Sequence, residues 1–487
     1  MIRRLLLLAA LAALLAGCGG SVNTAAPPVA TTTTPPPAKT TKPKPAKKPS
    51  VEMAPLVVTI LDGDQRVRVP GAFVKLWRKH GRTNRHGVTV IKGPRRRLLV
   101  SVLARGYAPA RFRADFQRRR QTFRIYRPDL QWPIYGATDG RTQSQTQIKL
   151  RPPFRLVWSR GLGHLIEFPA VVSDGFAYIG NQASTVHAIS MRSGKFAWVH
   201  STPGGPRMAS SPAVDGDQIV YHTMSGRVYV LDRSNGRLKW SWGAGAAIES
   251  SPIVRGDVDY FGTAGGEVYA LDLRTHRLRW SRSLGAKITS SAAIEGGRLF
   301  IGDYAGRLWA LSPATGATRW VGQVNGRIYG TPAVSGGRVF VPSSTGNSLT
   351  AFSTSGRYLW RDAAGYYVYS SPATWGGVVC FGSYDGWFYG ASASSGRILW
   401  RVPTGGPISG AAVIVDGIAY VGSFSHRIIG VDVHTGRTLL TFPHGDYVPV
   451  SGNGMRLLLH GFSRLYAVEP RHLHLRRLAR HGKHAPS

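Results

Sequence analysis

Eight side chains recur at one place in a periodic sequence, and together they could do chemistry. His164, Arg207, Lys287, Arg327 and Tyr367 each stand five residues before the Pro or Ala of a short apolar motif; Glu249, Tyr329 and Tyr369 stand three before it. Cations and phenols gathered on one rim would bind an anionic ligand or an acidic peptide. Taken singly, the same residues merely cap strand ends around a hydrated mouth. No catalytic set accompanies them: the chain has no H-E-x-x-H, C-x-x-C or G-x-S-x-G. Its histidines fall at no metal-ligand spacing, and His472, His474, His481 and His484 lie solvated in a basic tail. No catalytic residue and no metal ligand is therefore assigned. Of the two cysteines, Cys18 belongs to the leader described below, and Cys380 in GVVCFG reads as a small core residue without a disulfide partner.

The elements that must carry this rim follow from a repeat. Tryptophan stands at 158, 198, 240, 280, 320, 360 and 400, at intervals of 40 or 42 residues. A period of about 40 to 45 residues with turn signals inside each unit marks a four-stranded propeller blade. Residues 210–242 show the unit: SSPAV, then Asp215-Gly216, QIVYHT, Ser225-Gly226, RVYVLD, Asn235-Gly236 and RLKW. Asn-Gly and Asp-Gly supply the positive φ of tight hairpins between strands rich in Val, Ile, Tyr and Trp. A carboxylate such as Asp232 can accept N–H groups of the following turn, and the large Trp can fill the seam between neighbouring blades.

The first-strand motif occurs as FPAVV, SSPAV, SSPIV, SSAAI, GTPAV, SSPAT, GAAVI and, degenerately, PVSGNG, which makes eight units. The eighth lacks a Trp-bearing fourth strand, while RLVW at 155–158 is a fourth strand without predecessors. Joining RLVW to RLYAVE closes the ring and removes open sheet edges.

These units resemble the PQQ-like propeller repeats of quinoprotein alcohol dehydrogenases and of BamB, the lipoprotein of outer-membrane-protein assembly. The segment Gln131 to Gln145 is similar to the stretch that leads into such propellers. The resemblance implies a ring that hosts enzymes and scaffolds alike. In the enzymes a quinone lies over the axis between a vicinal cysteine pair and a Trp, with a carboxylate-bound calcium and an Asp base. This chain has no vicinal cysteines and no long insertions between units.

Ahead of the propeller, MIRRLLLLAALAALLAGC reads as a secretion signal ending in a lipobox, with Cys18 the lipidated residue. Residues 19–54, rich in Thr, Pro and Lys, cannot bury a core and read as a tether. Residues 55–127 alternate as a small β-sandwich through PLVVTIL, AFVKLW, GVTVI, RLLVSVLA and QTFRIY. VPGA with Val74, Thr83-Asn84 with Gly87, and Gly106-Tyr107 resemble the carboxypeptidase-regulatory-like domain, which implies an accessory module. The net charge is +38, and residues 55–126 carry eighteen Lys and Arg against three Asp and Glu. Outside the cytoplasm such a surface meets anionic lipid or cell-wall polymer, and export sets nucleic acid aside.

The reading is an all-β chain: signal 1–18, linker 19–54, sandwich 55–127, eight-bladed propeller 128–470 and basic tail 471–487. Its expected function is that of a monomeric, lipid-anchored envelope scaffold, without cofactor or catalysis, binding envelope proteins or peptides. A quinone-dependent dehydrogenase and a sensor of an anionic ligand at the funnel are the alternatives.

Overall fold

The computed structural model of the protein describes residues 52–202, 205 and 207–472. The signal with Cys18, the linker up to residue 51 and the tail from residue 473 lie outside the described residues. Strands β1 (Met53–Asp62), β2 (Phe73–Leu76), β3 (Lys79–Arg82), β4 (Val88–Pro94), β5 (Arg97–Leu103), β6 (Ala110–Asp115) and β7 (Arg120–Ile125) come first. They make two sheets, ordered β4-β1-β7 and β3-β2-β5-β6. Between them lies a core that includes Leu56, Val58, Ile60, Val74, Val100 and Phe116. Two of the seven strands, β3 and β6, were not legible as strands. Both are sheet edges, and KHGR and ARFRAD carry the charge that edges tolerate and that hides strand periodicity.

Eight sheets follow; in the first seven, four consecutive strands pair antiparallel, and the eighth takes its fourth strand from earlier in the chain. In the second blade the strands are Ala213–Asp215, Gln218–His222, Arg227–Asp232 and Leu238–Gly243. The innermost strand starts three residues later than SSPAV implies, because the serines leave the ladder to bond between blades, as described below. In every blade the pairing of the third and fourth strands shifts register once, as between Val230 and Leu231. A bulge repeated at one position increases the local twist of each blade alike.

The tryptophans hold the seams. Trp280 Nε1 donates to Pro313 O at 2.8 Å, Trp320 to Thr354 O at 3.0 Å and Trp400 to Val433 O at 2.9 Å, each across to the next blade. The ring needs a flat landing: a Cβ on Gly316, at φ +70, would sit 2.7 Å from the Trp280 indole. Where the third blade offers His276 at the equivalent turn, Trp240 stacks on that imidazole at 4.4 Å. The turn carboxylates act as their spacing implies, Asp272 Oδ1 accepting from Arg274 N at 3.0 Å and Thr275 N at 2.8 Å.

Closure follows the same logic. Strand β9 (Phe154–Gly161) pairs antiparallel with Arg464–Pro470, placing Ala467 opposite Trp158. The last blade thus takes its outer strand from the start of the repeat region.

The axis is filled from below by residues 130–145, which ends in strand β8 (Ser144–Gln145). Its carbonyls accept the central amide of one inner strand after another: Val172 N to Trp132 O at 2.7 Å, Val214 N to Pro133 O at 2.9 Å and Ile294 N to Asp139 O at 2.8 Å. The series continues with Val334 N to Gly140 O at 2.7 Å, Thr374 N to Thr142 O at 3.0 Å and Ile414 N to Gln143 O at 2.8 Å. Inner strands of a propeller present an unpaired edge to the channel, and this segment pairs with it. Gln131 also ties the plug to the sandwich, donating from Nε2 to Asp64 Oδ2 at 2.7 Å.

Candidate functional site

At the centre of the plug Arg141 is fully buried. Its guanidinium donates to Ala292 O at 2.9 Å, Ser251 O at 3.1 Å and Pro252 O at 3.0 Å, and makes a short bond to Tyr135 O. Burial lowers its pKa to about 10, so the cation persists at neutral pH. Above it, the hydroxyls of the first-strand motifs form a chain from blade to blade. Ser211 N donates to Ser251 Oγ at 3.0 Å, Ser251 N to Ser291 Oγ at 2.8 Å, Ser291 N to Thr331 Oγ1 at 3.2 Å and Thr331 N to Ser371 Oγ at 2.9 Å. The 40-residue spacing of these serines is a ring of inter-blade bonds, which sequence reasoning took for strand.

Over this ring opens an axial cavity of about 60 Å³, lined among others by Tyr135, Glu167, Glu249, Tyr329, Tyr369 and Tyr447. Tyr135 is its floor, donating to Ser371 Oγ at 3.1 Å. Five of the positions three before a motif, namely 249, 289, 329, 369 and 409, line it; the five-before residues do not. His164, Arg207 and Arg327 are exposed and Tyr367 and Lys287 half-buried outside the cavity. Of the aligned residues, Glu249, Tyr329 and Tyr369 line the cavity, and His164, Arg207, Lys287, Arg327 and Tyr367 stand outside it. Lys287 is further neutralised by Glu249 at 3.0 Å, a contact that holds the ammonium in its charged form against partial burial.

The mouth is aromatic and, at its centre, acidic. Tyr304, Tyr329, Tyr369, Tyr384, Phe424 and Tyr447 form one wall, with successive ring centroids 6.5, 5.2, 4.9, 6.0 and 5.6 Å apart. Tyr366 stacks on Tyr367 at 4.1 Å beside it, and Arg327 lies over Tyr304 at 5.8 Å. Burial pushes the pKa of Glu167 up, with the charge of Glu249 adding to the shift. Burial likewise raises the Tyr329 phenol, which stays a neutral donor. Tyr304, Tyr384 and Phe424 come from the turns after the second strands, again 40 or 80 residues apart, a register that could have found them. Asp303 and Asp385, which neighbour the mouth in sequence, turn away: Asp303 binds Arg307 and the Trp309 indole, both at 2.8 Å, and Asp385 binds Tyr389 Oη at 2.6 Å.

A quinone with calcium does not fit these residues. Calcium takes six to eight oxygens, yet Glu249 is bound by Lys287 and Glu167 accepts from Gln182 Nε2 at 3.0 Å. A tricarboxylate on the axis would meet those two carboxyls. Among the described residues no three His, Cys, Asp or Glu side chains are grouped to hold a metal. Cys380 is fully buried, and burial pushes its thiol pKa up, so it is no nucleophile.

Eight blades, docked by tryptophan at seven of their seams and closed by an N-terminal strand around a plugged axis, define a PQQ-like β-propeller. The chain belongs to the family described as outer membrane protein assembly factor BamB, whose model matches residues 134–293, 282–374 and 354–471. Comparison with curated proteins gives no match. Among solved structures, BamB from Moraxella catarrhalis is 19% identical with a TM-score of 0.56, over 66% of this chain and 99% of that one. Quinohemoprotein alcohol dehydrogenase from Comamonas testosteroni is 13% identical with a TM-score of 0.60, over 70% and 80%. A europium-containing methanol dehydrogenase is 12% identical with a TM-score of 0.59, over 70% and 98%. Likeness at these identities is likeness of fold, and one ring serves both kinds of protein.

Proposed function

We propose that this protein is a non-catalytic scaffold of the cell envelope, anchored by lipid on Cys18, whose funnel receives an extended segment of an envelope protein. The observation that carries the reading is the aromatic wall from Tyr304 to Tyr447, which crosses from the fourth blade to the eighth. Amphipathic rings held rigid by one another give contact area at small entropic cost, and grooves lined with them suit extended peptides. Phenol hydroxyls and the Glu167 and Glu249 carboxyls add hydrogen bonds for a peptide backbone or its basic side chains. Membership of the family named for outer membrane protein assembly supports an envelope location. The basic side chains on the rim fit attraction of an acidic flank to the same mouth.

The competing enzymatic reading has a direct test. Purified protein titrated with pyrroloquinoline quinone and calcium should show no saturable binding at 0.5 M salt and no dye-linked oxidation of alcohols or sugars. Residual binding at low salt should weaken steeply as surface charges are screened. Salt-resistant equimolar binding that Glu249→Ala abolishes would replace the scaffold with an oxidoreductase.

A further inference from the structure

The outer face of the sheet β3-β2-β5-β6 is unpartnered and of mixed character. Residues directly opposite in an antiparallel pair share a face, and the register sets out Arg82, Phe73 and Leu103 in one row. His80, Lys75, Ser101 and Arg111 make the next row, then Leu99 with Arg113, and Arg97 with Asp115. Leu99 is 54% and Leu103 48% exposed. The one acid, Asp115, is itself buried and already lies within salt-bridge distance of Arg97 and Arg118. Lys75, Arg82, Arg111 and Arg113 are in no ion pair among the described residues.

At the edge of this face, the two-residue turn Trp77-Arg78 joins β2 to β3, and Trp77 is 58% exposed. Its φ is +51, the first turn position where hairpins prefer glycine. A bulky indole kept in the left-handed region on an exposed tip opposes both backbone preference and solvent.

We infer that this face is a peripheral docking surface for an anionic lipid bilayer, with Trp77, Leu99 and Leu103 entering the interface and the arginines and Lys75 meeting headgroups. Charge complementarity selects an anionic partner, because unpaired cations dominate the face. A soluble polyanion would use those cations alone and would leave three large apolar side chains in water. A bilayer surface takes both, since tryptophan favours the headgroup level and basic clusters are drawn to anionic lipid. The inference is independent of lipid on Cys18 and of the funnel. It gives a lipid-anchored protein a membrane contact additional to the lipid.

The test uses the chain from Gly19, without the signal and Cys18, in co-sedimentation with vesicles. Binding to phosphatidylglycerol vesicles at low salt should be about tenfold or more stronger than to phosphatidylcholine vesicles. Trp77→Ser combined with Leu99→Ser and Leu103→Ser should weaken it by about tenfold while unfolding at the same temperature, since all three sites are exposed. Lys75→Glu with Arg111→Glu and Arg113→Glu should remove it. Unchanged binding by the triple serine variant would reassign the face to a soluble polyanion, and no binding to phosphatidylglycerol vesicles would overturn the inference outright.

Discussion

Replacing Arg141 by methionine should cost about 3 kcal/mol or more of stability, because four carbonyls lose their donor at once in a site closed to water. The residue lies 100 or more positions from Ser251, Pro252 and Ala292, yet one guanidinium gathers their oxygens and that of Tyr135. Each acceptor left unpaired costs about 1 to 3 kcal/mol before relaxation. Arg141→Lys keeps the charge but not the planar fork, so it should recover only part of the loss. Urea unfolding of the purified variants reads the difference. A loss under about 1 kcal/mol would mean that water enters the plug and that the axis is not sealed as described.

A chain ended after Ser463 should fail to form the ring, whereas one ended after His472 should fold like the parent. The first truncation removes Arg464–Pro470, leaving β9 without its partner and the eighth blade with two strands. It also removes buried Leu465, Ala467 and Val468, and the fully buried Glu469 that contacts Arg155 and lies 3.6 Å from Arg456. Burial of the two larger apolar side chains alone is worth about 3 to 6 kcal/mol. With a ladder of hydrogen bonds lost as well, the deficit is on the order of a whole domain's stability. Calorimetry decides: a single cooperative transition in the shorter chain, at the parent's temperature, would show that closure contributes little.

Within the propeller, the parts that repeat were legible and the parts that occur once were not. Trp280, Gly316 and the Asp272 turn recur at fixed spacing, so periodicity alone gave blades, seams and the closing strand. The plug has no copy elsewhere in the chain; its bonds run from carbonyls of residues 132–143 to inner strands as far along the chain as Ile414, and no local pattern encodes them. The same division runs through the mouth. Glu249, Tyr329 and Tyr369 were found because loops before inner strands align, while Tyr304, Tyr384 and Phe424 come from another turn that was not aligned with them. His164 and Arg207 share a register with Lys287 but lie on the rim, since alignment gives angular position around a ring and says nothing of depth along its axis.

The central claim, that the funnel grips protein, is tested most directly by a photo-reactive amino acid placed in the native envelope at position 369, with position 321 on an exposed outer strand as control. The account predicts discrete polypeptide adducts from 369 that are absent from 321 and that fall sharply when Tyr329→Ala is added. Identical adducts from both positions, or none from 369, would contradict it.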